Sequence, residues 1–215
     1  MKIHIKSFTI SFLFIAISLF FLNSNVFAQT LDKQNVVSKT SVVTLSKSEK
    51  EELTKAFSQQ NIENAIKKFD FSKSGKQTVK LSDNYFLNCT VTSGTPLTST
   101  SESITSLATY STTKTVHISS TSALGLTLWT LYVGGTFNYN GSTVSPVTSY
   151  VSNQSYAGWT TSNAYSHNIS VTSTQAKAYG GARFSLIVAG VTIQSFNPVI
   201  SVGCNQYGQT IQYSN

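Results

Sequence analysis

Residues 126–142, LTLWTLYVGGTFNYNGS, alternate between apolar and polar side chains with a period of two. This alternation is typical of a β-strand that is buried on one face only. Gly134-Gly135 marks a point where the strand would bend or bulge, and Asn140-Gly141 is the dipeptide that most favours a tight hairpin turn. The segment predicts a sheet with one face in the core, followed by a hairpin. The residues on its apolar side are Trp129, Leu131, Val133, Gly135, Phe137 and Tyr139.

Short strand patterns continue through residues 84–215. Leu128-Trp129 breaks the alternation where a bulge would lie, and Pro146 argues that the return strand is an edge strand or is broken. The Ser/Thr-rich residues 97–122 suit one or two strands near an edge, while Asn197-Pro198 interrupts the last long strand. Seven to nine such strands predict an all-β fold, a two-sheet antiparallel sandwich of the immunoglobulin-like type. An open barrel is the alternative.

The first 28 residues have the form of a signal peptide. Lys2 and Lys6 make a basic start, an uncharged apolar run covers residues 10–22, and small residues precede a cleavage point after Ala28. The mature chain is expected to begin at Gln29 and to be secreted into the extracellular space. An uncleaved membrane anchor is the alternative, which the short apolar run disfavours.

Residues 29–83 differ in composition from the rest, since they hold most of the charged side chains of the chain. Ser46 and Glu49 have capping-box spacing, which predicts that a helix starts there. Two short apolar stripes follow and predict one interrupted helix or two short ones that end before Ser74-Gly75. Two interpretations are open: a charged helical extension of the β-sandwich domain at 84–215, or a pro-region.

The two cysteines, Cys89 and Cys204, lie in the first strand and the last long strand of the β region. In a secreted chain an even number of cysteines favours pairing, and two cysteines allow one connectivity. We therefore expect a disulfide between them. A zinc site with His117 and His167 explains the cysteines less well.

A family resemblance follows from the strand at 126–142, the strand containing Trp159, the run AYGGARFSLIVAGVTIQSFNPVISVGC and the signal peptide. Together, over residues 123–208, these features resemble small secreted β-sandwich proteins of Gram-positive bacteria and their prophages. The resemblance implies a compartment and a fold, and it lends no catalytic residues.

The distribution of acids excludes several functions, because Glu102 is the last Asp or Glu in the sequence. Neither a glycosidase with paired carboxylates nor an acidic metal site can then be built in the sandwich. His117 and His167 stand in no nucleophile-elbow context. We expect no enzyme activity, catalytic residue, metal or cofactor. Since the β region has few basic residues, nucleic acid is not an expected partner.

Binding is the function that the composition favours. Aromatic rings occur among Asn, Ser, Thr and Gln, a mixture that can stack on sugars or contact a protein. The candidate contacts for an extracellular glycan or protein ligand are Trp159, Tyr156, Tyr132 and Tyr150, with a core position as the alternative for Trp159. The oligomeric state stays open.

A toxin or bacteriocin-like protein that acts on membranes is the second hypothesis. Residues 97–122 carry few charges and loosely alternating apolar side chains, and they are long enough for two membrane-spanning strands. Their apolar residues do not keep one parity, so a lipid-facing side would expose several hydroxyls, and a solvated edge hairpin explains the same residues more simply. This hypothesis is the only one that makes the membrane a partner.

Overall fold

The computed structural model describes residues 45–99 and 108–212. The expected signal peptide, its cleavage point and Glu102 lie outside the described residues. In the described part the chain forms two helices and eleven strands. The helices are α1 (Lys47–Ala56) and α2 (Gln59–Ile66). The strands are β1 (Gly75–Lys80), β2 (Tyr85–Ser93), β3 (Leu97–Ser99), β4 (Thr109–Ser122), β5 (Thr127–Tyr139), β6 (Val144–Ser155), β7 (Trp159–Thr172), β8 (Gln175–Val188), β9 (Val191–Phe196), β10 (Val199–Asn205) and β11 (Thr210–Ile211).

The strands form two antiparallel sheets. The first sheet has the order β1-β2-β4-β5-β6, with β3 also paired to β4. The second has the order β11-β10-β8-β7, with β9 also paired to β8. The predicted two-sheet sandwich is confirmed. Within each sheet the strands lie in the order in which they occur along the chain, whereas immunoglobulin domains have Greek-key connections. The fold therefore shares with immunoglobulin domains its architecture of two packed sheets.

Strand β5 is buried as its alternation predicts, with Trp129, Leu131, Val133 and Phe137 in the core. The expected bulge is present, because Ser120 pairs with Trp129 while Thr121 pairs with Thr127. The predicted hairpin follows β5. Its loop is held by Asn140, whose Oδ1 accepts from the Thr143 amide at 2.8 Å, and by Gly141, whose φ of +85° suits glycine.

The regular strand pairing is disturbed at both prolines where the sequence predicts it. Pro146 lies in β6, the edge strand of the first sheet, beside a register shift. Asn197-Pro198 separates β9 from β10, and both of these strands pair with β8. The expectation that residues 97–122 lie near an edge is wrong for most of them. Strand β4 is an interior strand with β2 on one side and β5 on the other.

The helices begin and end as expected, and the capping box of Ser46 and Glu49 is present. They are joined at Phe57, a fully buried ring that ties the helices to both sheets. Its centroid lies 5.1 Å from that of Tyr85 on β2, 4.9 Å from that of Trp159 on β7, and 6.0 Å from that of Phe196 on β9. Residues 75–80, in which the sequence predicts no strand, form β1 of the first sheet. The described part of the extension therefore contributes to the sandwich.

The expected disulfide is not formed, since Cys89 and Cys204 are free and buried. Cys204 pairs with Thr210, whose hydroxyl lies 3.0 Å from that of Ser93 on β2. Cys204 therefore lies opposite Ser93 along the length of the strands. Cys89 lies four residues away from Ser93 on β2, a distance of about 13 Å. A disulfide tolerates a Cα separation of at most about 7 Å. The prediction of a disulfide is wrong because the sequence indicates that both cysteines are buried, but it does not show how far apart they lie along the strands.

Candidate functional site

The four candidate contact residues do not form one site. Trp159 is only 5% exposed and packs against Phe57 and Phe196, so the alternative core position is the one it occupies. Tyr156 is exposed in the turn between β6 and β7, where its hydroxyl donates to Gln154 Oε1 at 2.6 Å. That turn lies at an end of the sandwich. Tyr132 and Tyr150, in contrast, lie side by side on a sheet face.

The outward face of the first sheet brings Tyr132 of β5 together with Tyr150 of β6. Tyr132 pairs with Ser152 and Tyr150 pairs with Gly134, so the two tyrosines are diagonal neighbours. A Cβ at Gly134 would collide with the Tyr150 ring, so this ring lies flat on the strand. Its hydroxyl lies 2.6 Å from that of Thr115, which fixes the orientation of the ring. Tyr150 remains 42% exposed, so one face of the ring is open to solvent.

His117 belongs to the same surface and was not among the candidates. It pairs with Tyr132 across β4 and β5, and the two rings are parallel with centroids 3.9 Å apart. Its Nε2 is buried and makes no hydrogen bond with the described residues. Burial lowers the pKa of His117, which favours the neutral ring. We call Thr115, His117, Tyr132 and Tyr150 the tyrosine platform.

The outward face of the second sheet carries another aromatic set. Tyr165 and His167 on β7 have ring centroids 5.7 Å apart, and His167 and Tyr179 on β8 have centroids 5.4 Å apart. The Lys177 Nζ lies 5.8 Å from the centroid of the Tyr179 ring. The alternation of β7 and β8 signals outward side chains, but it does not show which of them are neighbours. That depends on the pairing of the two strands.

The membrane hypothesis depends on residues that the sandwich uses. Strand β4, the larger part of 97–122, places its even positions in the core, Val116 and Ile118 among them. Both edges of this strand are paired, to β2 or β3 on one side and to β5 on the other. Inserting it into a bilayer would require both ladders to open. Residues 100–107 lie outside the described part.

Among residues 45–99 and 108–212, no group of three or more His, Cys, Asp or Glu side chains is placed to hold a metal ion. Neither helix of this part is long and apolar enough to cross a membrane. Comparisons with protein-family models, with curated proteins and with solved structures found no match to the chain. Its function is therefore inferred from its own residues and their geometry.

Proposed function

We propose that the chain is a secreted, non-enzymatic protein that binds an extracellular glycan or protein through the tyrosine platform. The observation that carries this proposal is the Tyr150 ring, which lies flat on Gly134 and keeps one face open to solvent. An aromatic face fixed in this way can stack on a sugar ring or on an apolar side chain without losing further freedom of its own.

The surroundings of the ring support a polar ligand. Thr113 and Thr136 lie on the same face, and their hydroxyls are 3.3 Å apart. Sugars and peptides both present groups that can donate to and accept from hydroxyls. His117, kept neutral by burial, adds an aromatic neighbour without adding charge. This combination of rigid rings and adaptable hydroxyls is common in binding surfaces.

The non-enzymatic part of the proposal rests on the chain's acids. No Asp or Glu follows Glu102, so the strands that build the platform carry no carboxylate for general acid or base chemistry. Secretion is supported by the form of residues 1–28 and by the resemblance to secreted β-sandwich proteins of Gram-positive bacteria.

The test is a glycan array, together with a pull-down from extracellular material, using mature protein. Tyr150→Ala should weaken binding of the captured ligand about tenfold or more, because it removes the open ring face. Tyr156→Ala is the matched control, since it removes a tyrosine of similar exposure outside the platform. Its affinity should match that of the parent. The proposal would be wrong if no ligand were captured, or if both variants lost affinity for the ligand equally.

Dye release from liposomes separates binding from membrane action. Because β4 is paired on both edges, we expect no leakage at micromolar protein. Leakage that disappears when an engineered disulfide pins residues 97–122 to the sandwich, and returns on reduction, would place the membrane hypothesis first.

A further inference from the structure

One side of the sandwich, formed by β6 and β7, presents two long strand edges. β6 ends the order of the first sheet and β7 ends that of the second, and among the described residues no strand pairs with the outer edge of either. The two strands contain 12 and 14 residues. They are adjacent, because the Ser149 hydroxyl donates to that of Ser166 at 3.3 Å. Unpaired backbone groups along edges of this length are a template for pairing with another strand.

The opposite side of the sandwich is protected in ways that this side is not. β1, at the other end of the first sheet, carries Lys76 and Lys80, and β11, at the other end of the second sheet, has only two residues. Lysines and short edge strands discourage edge-to-edge pairing. Residues 144–172, in contrast, contain no Lys, Arg, Asp or Glu. The edges of β6 and β7 can therefore take another strand without meeting a charge of their own.

Of these two edges, that of β7 is the more accessible. Ten of the 14 residues of β7 are exposed, against six of the 12 residues of β6. The exposed side chains of β7 include Tyr165, Ile169 and Val171, so the edge carries apolar surface. β6 is less suitable for pairing, because Pro146 has no amide to donate and lies beside a register shift.

The backbone of β7 is regular between its two bulges, over residues 165–170. The Tyr165 carbonyl points towards β8, because its oxygen would lie 2.5 Å from a Cβ built at Gly180. Successive residues of an antiparallel strand direct their backbone groups to alternate sides. The amides and carbonyls of the even-numbered residues of this stretch therefore face the free edge. These residues are Ser166, Asn168 and Ser170.

We propose that the free edge of β7 pairs antiparallel with the β7 edge of a second copy of the chain, about a two-fold axis at Asn168. In this register the amide and carbonyl of Asn168 pair with those of Asn168 of the partner subunit, and Ser166 pairs with Ser170 of the partner subunit. His167 lies beside Ile169 of the partner subunit. A two-fold contact is self-complementary, so the assembly closes at two copies.

The charge of the chain favours a second copy at this edge. The formal net charge is +7, and like charges that face each other across an interface weaken it. A basic chain can approach a copy of itself most closely through a surface that carries no charge, and residues 144–172 supply one. The edge also offers no charged group that would select a charged partner.

The contact stands independently of the proposed function, because the tyrosine platform contains neither Asn168 nor its neighbours on β7. The two-fold axis is perpendicular to the paired strands and to the sheets. It therefore places the tyrosine platforms of both copies on the same face of the dimer, where one extended ligand can reach both.

Analytical ultracentrifugation of the full mature protein over a series of micromolar concentrations measures the contact. We expect a reversible equilibrium between monomer and dimer. Hydrogen exchange at the amides of Ser166, Asn168 and Ser170 should slow as the dimer forms. A protein that stays monomeric up to its highest soluble concentration would overturn the proposal, even if β7 then paired with a strand of another protein.

Charged variants test whether β7 is the contact. His167→Lys/Ile169→Lys sets lysines opposite each other across the axis and should raise the Kd of the dimer by about tenfold or more. Val191→Lys/Thr192→Lys adds the same number of lysines at exposed positions of β9 and should dimerise as the parent does. His167→Asp/Ile169→Lys brings opposite charges together across the axis and should restore the dimer, which shows that the first variant is folded. Equal dimerisation of the parent and His167→Lys/Ile169→Lys would contradict the proposal.

A cysteine at Asn168 tests the register. Directly opposite residues of a hydrogen-bonded antiparallel pair have Cα atoms about 5.5 Å apart, which lies within the range of a disulfide. Oxidised Asn168→Cys should therefore form a covalent dimer, whereas Ser162→Cys, far from the axis, should stay monomeric under the same conditions. Absence of the link in Asn168→Cys, or equal linking of both variants, would overturn the axis at Asn168. Tyr150→Ala should dimerise as the parent does, so failure of the dimer and failure of the platform are measured separately.

Discussion

Lys114 is the most unusual single residue of the structure. It occupies an inward position of β4 between Thr112 and Val116 and is only 5% exposed. Its neighbour on β2 is Ser93, whose hydroxyl contacts that of Thr210, the residue that pairs with Cys204. The Lys114 amine and the Cys204 thiol therefore lie near each other in the interior between the sheets. Burial lowers the pKa of Lys114, an effect that the nearby Cys204 opposes. Burial likewise raises the pKa of Cys204 to about 11, an effect that Lys114 opposes. Among the described residues no carboxylate forms a salt bridge with Lys114.

Lys114→Met should stabilise the protein, because it keeps an unbranched apolar stem and removes a buried charge. In the folded state the pKa of Lys114 lies below its usual value of 10.5, so between these two pKa values the unfolded chain binds more protons than the folded chain. In that pH interval the free energy of unfolding rises with pH. Below the interval Lys114 is charged in both states, and the full cost of burying its charge destabilises the folded state. We expect a gain of about 1 kcal/mol or more near neutral pH, shrinking as the pH rises towards 10.5.

Urea denaturation of parent and variant at several pH values measures this difference. Lys76→Met on β1 is the control, since Lys76 is exposed and its removal should change stability by less than about 0.5 kcal/mol. A Lys114→Met protein that is less stable than the parent at every pH would show that the amine has a stabilising partner.

Among the secondary-structure elements, the two helices are held against the sheets at Phe57, the residue that joins them. Phe57 is surrounded by three aromatic rings, one from each of β2, β7 and β9. Its carbonyl accepts a hydrogen bond from Gln194 Nε2 at 2.8 Å, and the Gln59 side chain bonds to the backbone of Asn197. Contacts to strands of both sheets anchor the two short helices, which would be marginal on their own.

Phe57→Ala should lower the free energy of unfolding by about 3 to 5 kcal/mol, because it leaves a cavity among rings that cannot close together. Lys55→Ala, in the last turn of α1, removes an exposed side chain and should have little effect. Chemical denaturation monitored by tryptophan fluorescence is suitable, since Trp159 contacts Phe57. A Phe57→Ala protein as stable as the Lys55→Ala control would indicate loosely docked helices, as expected of a displaceable pro-region.

At the scale of the whole molecule, the sandwich and the helices share one core. A continuous cluster of buried residues joins Leu53, Phe57 and Ile62 of the helical segment to Trp129 and Ile200 of the two sheets. The segment also supplies β1, which covers an edge of β2. A domain boundary at residues 83 and 84 therefore cuts through the core.

A chain beginning at Asn84 should consequently fail to fold at 25 °C, whereas a chain beginning at Gln29 should fold. Circular dichroism and resistance to limited proteolysis compare the two. Mass spectrometry of the secreted protein adds an independent measurement, with an expected N-terminus at Gln29. A stable secreted form that begins near Lys80 would contradict the integral role of the helices and restore the pro-region interpretation.

Local features were predictable because their causes are local. The side-chain alternation of β5, its bulge at Leu128, the capping box of Ser46 and Glu49, and the break at Asn197-Pro198 each depend on neighbours within a few residues. The same reasoning correctly placed one face of β5 in the core. It missed β1, because an exposed edge strand with lysines and few apolar residues has little periodic signal.

The fold class, the turns and the absence of carboxylates from the strands after Glu102 follow from the amino-acid sequence alone. The separation of Cys89 from Cys204 along the core and the inward position of Lys114 depend instead on how the two sheets pack together. Only strand register decided that Tyr132 and Tyr150 are neighbours while Trp159 is covered by Phe57. The physical reason is common to all of these. Alternation states which face of a strand a side chain occupies, whereas its neighbours on that face come from strands distant in the chain, whose register is set by packing and turn geometry together.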